Sequence, residues 1–220
     1  MPHADPRPAA LLVGADLPFG SDIARALDAA GFDVVAPGVP ASLTPGLTWL
    51  GPIPNDDLAA GVPAEIAARL DVLVINAPVQ QAGLRFLEVS DAAFACAMQR
   101  QLLGPAAWVR ACLPWLKTQA GRIVHVGSRG AQGAWGGAHD MAGSAGIVGL
   151  TRSLALEFAE HGVRANAVAA DFVPADGAPA QADAVARAVV YLAQPGEGPS
   201  GHTVLIDGLR SLRLSEARRR

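Results

Sequence analysis

Residues 121–173 read GRIVHVGSRGAQGAWGGAHDMAGSAGIVGLTRSLALEFAEHGVRANAVAADFV, and their reading decides the fold. The opening run over 122–127 is apolar and β-branched at Ile123, Val124 and Val126, which suits a sheet interior. Ile147, Leu150, Leu154 and Phe158 then recur at helical spacing, and Leu156 broadens the stripe, so a helix is predicted over 143–159. His161–Gly162 gives a C-cap signal, and a second strand resumes over 163–168. A strand, a long helix and a strand make the right-handed crossover that a parallel sheet requires.

The same pattern extends outward. AALLVGA over 9–15 reads as a buried strand, 20–30 as a helix with Ile23 and Leu27 facing inward, and 32–36 as a second strand after Gly31. This is the opening βαβ unit of a dinucleotide fold. Residues 47–50 make a short third strand, Asp56 and Asp57 begin a helix, and Pro63 starts another that runs to about Leu70. VLVINA over 72–77 is the fourth strand. Ser90 caps a helix over 91–117 that can bend near Gly104–Pro105. A helix over 181–192 and a strand over 202–207 close the chain. The expectation is one domain over 9–208, a doubly wound parallel sheet of about seven strands in the order 3-2-1-4-5-6-7. It lies between a loose segment at 1–8 and a tail at 209–220.

Composition narrows the function. A net charge of −3 gives no case for a nucleic-acid or membrane partner. The two cysteines, Cys96 and Cys112, lack metal-ligand spacing and read as reduced core residues of a cytoplasmic protein. MPHADPRP has neither the basic start nor the apolar run of a signal peptide, and no apolar stretch reaches the roughly 18 residues of a membrane span. No metal site is expected.

The organising stretch resembles the second half of the short-chain dehydrogenase/reductase (SDR) family. Its Ser-terminated strand, its AGIVGLTRSLALE helix and its RANAVAA strand all have close family counterparts. The resemblance runs from Ala9 to Gly208 and implies a catalytic Asn, Ser and Tyr-x-x-x-Lys set with a nicotinamide cofactor. Ser128 stands at the Ser position and Gln101 at the Asn position. Aligning on AGIVGL places Asp140 and Ser144 where Tyr and Lys belong, whereas counting forward from Ser128 places Met141 and Ala145 there. The only Tyr is Tyr191 and the only Lys is Lys117, so neither alignment restores the pair.

The cofactor signals are also eroded. The family turn T-G-x-x-x-G-x-G is here Val13-Gly14-Ala15-Asp16-Leu17-Pro18-Phe19-Gly20. Pro18 removes a glycine and an N–H, so Gly14 and Gly20 read as residues of a tight turn, and Asn76 as a tie between strand ends. Ala36-Pro37-Gly38 selects neither NAD nor NADP, and only 172–180 remains where the family folds a lid over its substrate. Asp171 replaces the Gly of the family's Pro-Gly and adds a carboxylate near Asp140. Two like charges at about 4 Å repel by roughly 1–4 kcal/mol. The sequence therefore predicts no cofactor and a non-catalytic subunit. That subunit would complete an active SDR homologue, of the hydroxyacyl-CoA dehydrogenase kind, through helices 91–117 and 143–159 as a hetero-dimer or hetero-tetramer. The alternatives are a non-redox lyase, isomerase or cyclase using Ser128, His139 and Asp140, or a weak NAD(P)-dependent oxidoreductase. His125, inside its strand, reads as a hydrogen-bonded core residue.

Overall fold

The computed structural model describes residues 7–38, 48–50, 53, 57–77, 79, 83–171 and 181–208. Seven parallel strands form one sheet in the order β3-β2-β1-β4-β5-β6-β7, as the sequence predicts. They are β1 (Ala9–Val13), β2 (Asp33–Pro37), β3 (Thr48–Leu50), β4 (Leu70–Asn76), β5 (Arg122–Ser128), β6 (Arg164–Ala170) and β7 (Thr203–Ile206). The strand order reverses direction between β1 and β4, and it is outside such a switch point that doubly wound sheets open a ligand crevice.

Helices cover both faces. Helix α1 (Gly20–Ala29) and α6 (Ala182–Ala193) lie on one side, where Ile23, Leu27, Val185 and Val189 pack against Leu12, Val74 and Val124. On the other side Val109, Cys112 and Leu116 of α4 (Gly104–Thr118) join Leu154 of α5 (Ala138–Glu157) over Leu11, Leu73 and Ile123. The central strands are buried on both faces, which explains their near-continuous apolar runs.

Four local readings differ. The helix predicted over 91–117 is α3 (Asp91–Met98), a π-helical segment at Gln99–Leu103, and α4. Pro105 has no N–H to give, and the wider π turn absorbs the break. The helix predicted from Pro63 to about Leu70 shortens to α2 (Ala64–Ala67), because Leu70 pairs with Ala9 and already belongs to β4. Asp57 accepts from the Ala60 amide at 3.1 Å and closes a turn where a helix start was expected. Helix α5 begins five residues earlier than its periodicity indicates, which puts His139 and Asp140 in its first turn. The loose N-terminal segment (except Arg7 and Pro8), the tail after Gly208, the short connection at 172–180, and Asp56 lie outside the described residues.

Candidate functional site

The crevice lies at the carboxyl ends of β1, β4, β5 and β6. Gly14 follows β1 with φ +76°, and a Cβ there would sit 2.3 Å from the Asn76 carbonyl oxygen. Only glycine lets β1 and β4 approach so closely before the turn. Gly20 is equally confined, since its Cβ would meet the Ala15 carbonyl at 2.3 Å. Asn76 Nδ2 donates to the carbonyls of Gly14 at 2.8 Å and Pro18 at 2.9 Å, tying the turn to the end of β4. Phe19 adopts the left-handed region at φ +72°, held there by a buried side chain among Leu12, Ile23 and Ala24.

Three of the expected site positions, Gln101, Asp140 and Ser144, join in one hydrogen-bonded chain. Ser144 Oγ donates to Gln101 Oε1 at 3.1 Å, and Gln101 Nε2 donates to Asp140 Oδ1 at 2.6 Å. Arg100 donates to the same oxygen at 3.0 Å. These contacts bring together Asp140 and Ser144, the pair given by one of the two alignments. Met141 instead turns toward Val79 and Ala134. The π segment aims Gln101 at α5, and α5 makes room for it at Gly143, where a Cβ would lie 2.9 Å from the Gln101 Cβ. Gly143→Ala is expected to push Gln101 off Asp140 and to lower stability by about 1–3 kcal/mol, readable as a fall in urea midpoint without a change in m.

The other candidates stand apart. Ser128 Oγ accepts from the Gly130 amide at 3.0 Å and caps the turn after β5. His139 Nε2 lies 3.6 Å from Asp140 Oδ2, and its Nδ1 is buried without a partner. Among the described residues no hydrogen bond joins Ser128 to His139. No group of three or more His, Cys, Asp or Glu able to hold a metal ion occurs among them either.

Each of the two carboxylates expected to repel, Asp140 and Asp171, has its own arginine. Arg129 Nε donates to Asp171 at 2.6 Å, and this buried pair bridges the ends of β5 and β6. Arg100 and Arg129 were missed in sequence reading. Their signal was adjacency alone, each lying one residue from a recognised position, Gln101 and Ser128.

The β1–α1 turn presents a helix end that suits the phosphates of a dinucleotide. The ten-residue helix α1 has no side-chain cap at its N-terminus, so backbone donors and the positive end of its dipole face the turn. Pro18 withdraws one donor but not the helix end, and Asn76 holds the turn in shape. The residues that would hold the group are those of the Gly14–Gly20 turn and the α1 terminus. Once bound, it would supply or accept hydride.

Comparison with known proteins agrees. Residues 56–182, more than half of the chain, match the family model described as enoyl-(acyl carrier protein) reductase. A 3-oxoacyl-[acyl-carrier-protein] reductase of Synechocystis sp. is 31% identical over 185 residues, covering 76% of this chain and 74% of the relative. A (2S)-[(R)-hydroxy(phenyl)methyl]succinyl-CoA dehydrogenase subunit, BbsC of Thauera aromatica, is 35% identical over 113 residues, 51% of this chain and 45% of that subunit. The crystal structure of gox2181 superposes with a TM-score of 0.81 at 21% identity, over 94% of this chain and 96% of the other, and shares the fold.

The expectation of no cofactor is thereby overturned. The matched family and relatives are reductases and dehydrogenases, which points to nicotinamide binding. Loss of the glycine at Pro18 was weighed too heavily against a helix terminus that survives it. Sheet order, the family-model match over residues 56–182 and the Synechocystis relative lead to one assignment: the chain belongs to the short-chain dehydrogenase/reductase family.

Proposed function

We propose that this chain is a nucleotide-binding SDR subunit without a proton relay of its own, which completes an active SDR homologue in a mixed oligomer. The observation that carries this reading is the state of Asp140. It occupies the place of the family's proton-donating Tyr, yet its Oδ1 is taken by both Gln101 and Arg100. An oxygen that accepts from a guanidinium and an amide presents lone pairs, not a proton, along both contacts. Ser144 cannot replace the family Lys, since a hydroxyl carries no charge to hold a ribose or bias a neighbour's ionisation.

The docking helices support the subunit reading in part. Cys112, Ile147 and Leu154 are buried in the protomer's own core, so these members of the expected interface serve the fold. Leu103 and Leu156 remain exposed on α4's approach and on α5, beside the small exposed residues Ala142, Ala145 and Gly149. Such a face allows close approach of a second helix pair. One relative, BbsC, is itself named a dehydrogenase subunit.

Co-expression with an SDR that retains Tyr and Lys, followed by native mass spectrometry, tests the proposal. A mixed dimer or tetramer is expected, and Leu156→Glu should reduce it at least tenfold. Recovery of homomers alone would remove the proposal. The non-redox reading would need His139, 3.6 Å from Asp140, to act with that carboxylate. It requires activity of the isolated chain that Asp140→Asn abolishes.

A further inference from the structure

Behind the Gln101–Asp140 chain lies a small cavity between β4, β5, α4 and α5, of about 10 Å³. It is lined by Ala77, Gln101, His125, Ser144 and Ile147, among others. That is room for the centre of about one water. His125 is 1% exposed, and its Nε2 has no partner among the described residues. Its other nitrogen, Nδ1, lies 2.9 Å from Thr151 Oγ1. Thr151 has a single hydroxyl proton, and Oγ1 donates it to the Ile147 carbonyl at 2.7 Å. Thr151 can therefore only accept from His125, so Nδ1 carries the ring proton and Nε2 is a bare acceptor. A buried acceptor left bare costs about 1–3 kcal/mol, and a water held in the cavity that Gln101 and Ser144 also line relieves that cost.

We propose that this cavity is a one-water site, its water donating to His125 Nε2 and to Ser144 Oγ, and that Thr151 and His125 thereby fix the direction of the hydrogen-bond chain ending on Asp140. The directions follow from proton counting. The water's two protons go to His125 and Ser144. The Ser144 proton then remains for Gln101 Oε1, which turns the Gln101 amide nitrogen toward Asp140, as found. Were the ring proton on Nε2, the water would accept from His125, and the proton it gives to Nε2 in the proposed arrangement would lose its acceptor. Burial pushes the His125 pKa down to about 4, which keeps the ring neutral over the physiological range. The role is positional, and it stands whether or not the chain turns over a substrate.

Two measurements on the full chain test it. A high-resolution crystal structure is expected to show one water bonded to both His125 Nε2 and Ser144 Oγ. Long-range ¹⁵N NMR of the imidazole is expected to show only the Nδ1–H tautomer. An intact His125 ring beside a cavity without water density, or an Nε2–H tautomer, would overturn the proposal. Thr151→Val should move the tautomer toward Nε2–H, and Thr151→Ser should restore Nδ1–H. An unchanged tautomer in Thr151→Val would refute the role given to Thr151. Should that variant fail to fold, Ser144→Ala keeps His125 anchored and removes one partner of the water. Loss of the water in its crystal structure supports the site, and full retention overturns it.

Discussion

Gly14→Ala is expected to lower the unfolding free energy by about 3 kcal/mol or more, one of the two largest effects anticipated for this chain. Two costs add. An L side chain at φ +76° is disfavoured by about 1–2 kcal/mol, and the new methyl would stand 2.3 Å from the Asn76 carbonyl. Neither backbone can yield without losing the Asn76 bonds to Gly14 and Pro18 or the pairing of Val13 with Ile75. In a domain of this size the loss should appear as a fall in Tm of roughly 6–12 °C. Gly38→Ala is the control. It shares a positive φ, at +87°, but a Cβ there meets nothing within 4 Å, so only the conformational cost remains. Equal losses in the two variants would mean that the close β1–β4 approach contributes nothing.

The second large effect is on pH. Burial lowers the His125 pKa from 6.5 to about 4. Between those values the unfolded chain binds a proton that the folded chain refuses, so stability rises with pH across the interval. The contribution of the neutral ring is complete above pH 6.5 and is lost as pH falls from 6.5 toward 4, by about 3 kcal/mol in total. Urea midpoints measured from pH 7.5 to 4.5 should fall accordingly, and His125→Gln should flatten that slope although it lowers stability at pH 7.5. A parent slope no steeper than the variant's would show that His125 is not held neutral by burial.

The sheet was legible because its signals are local and repeated. Runs such as AALLV and VLVIN are apolar throughout, the mark of strands buried on both faces, and the Gly and Pro punctuation between them is strong. The site was legible only as far as one-dimensional spacing reaches. Spacing offered Asp140 and Met141 equally for one position, and the contact of Asp140 with Gln101 depends on the π segment that aims Gln101 at α5. That segment arises from a backbone break at Pro105, which sequence periodicity registers as a bend and no more. Arg100 and Arg129 neutralise two carboxylates that looked repulsive in the sequence, because an ion pair between residues some forty positions apart leaves no periodic trace. Thr151 escaped for the same reason. It lies on the α5 face that carries Ser144 and Ile147, but its partner His125 is on a strand. The cofactor escaped because a missing glycine is visible in the sequence, whereas the absence of a side-chain cap at α1 shows only in the fold.

Hydride transfer by the isolated wild-type chain is the most direct test of the central claim that Asp140 has left the proton relay. The chain, mixed with NADPH or NADH and a 3-oxoacyl thioester, should bind nucleotide in a calorimeter yet show no oxidation above the enzyme-free rate. Turnover should appear only when an SDR retaining Tyr and Lys is present in the same oligomer. Oxidation by the isolated chain at about 1 s⁻¹ or faster, the ordinary range for an enzyme, and its loss in Asp140→Asn, would contradict the claim.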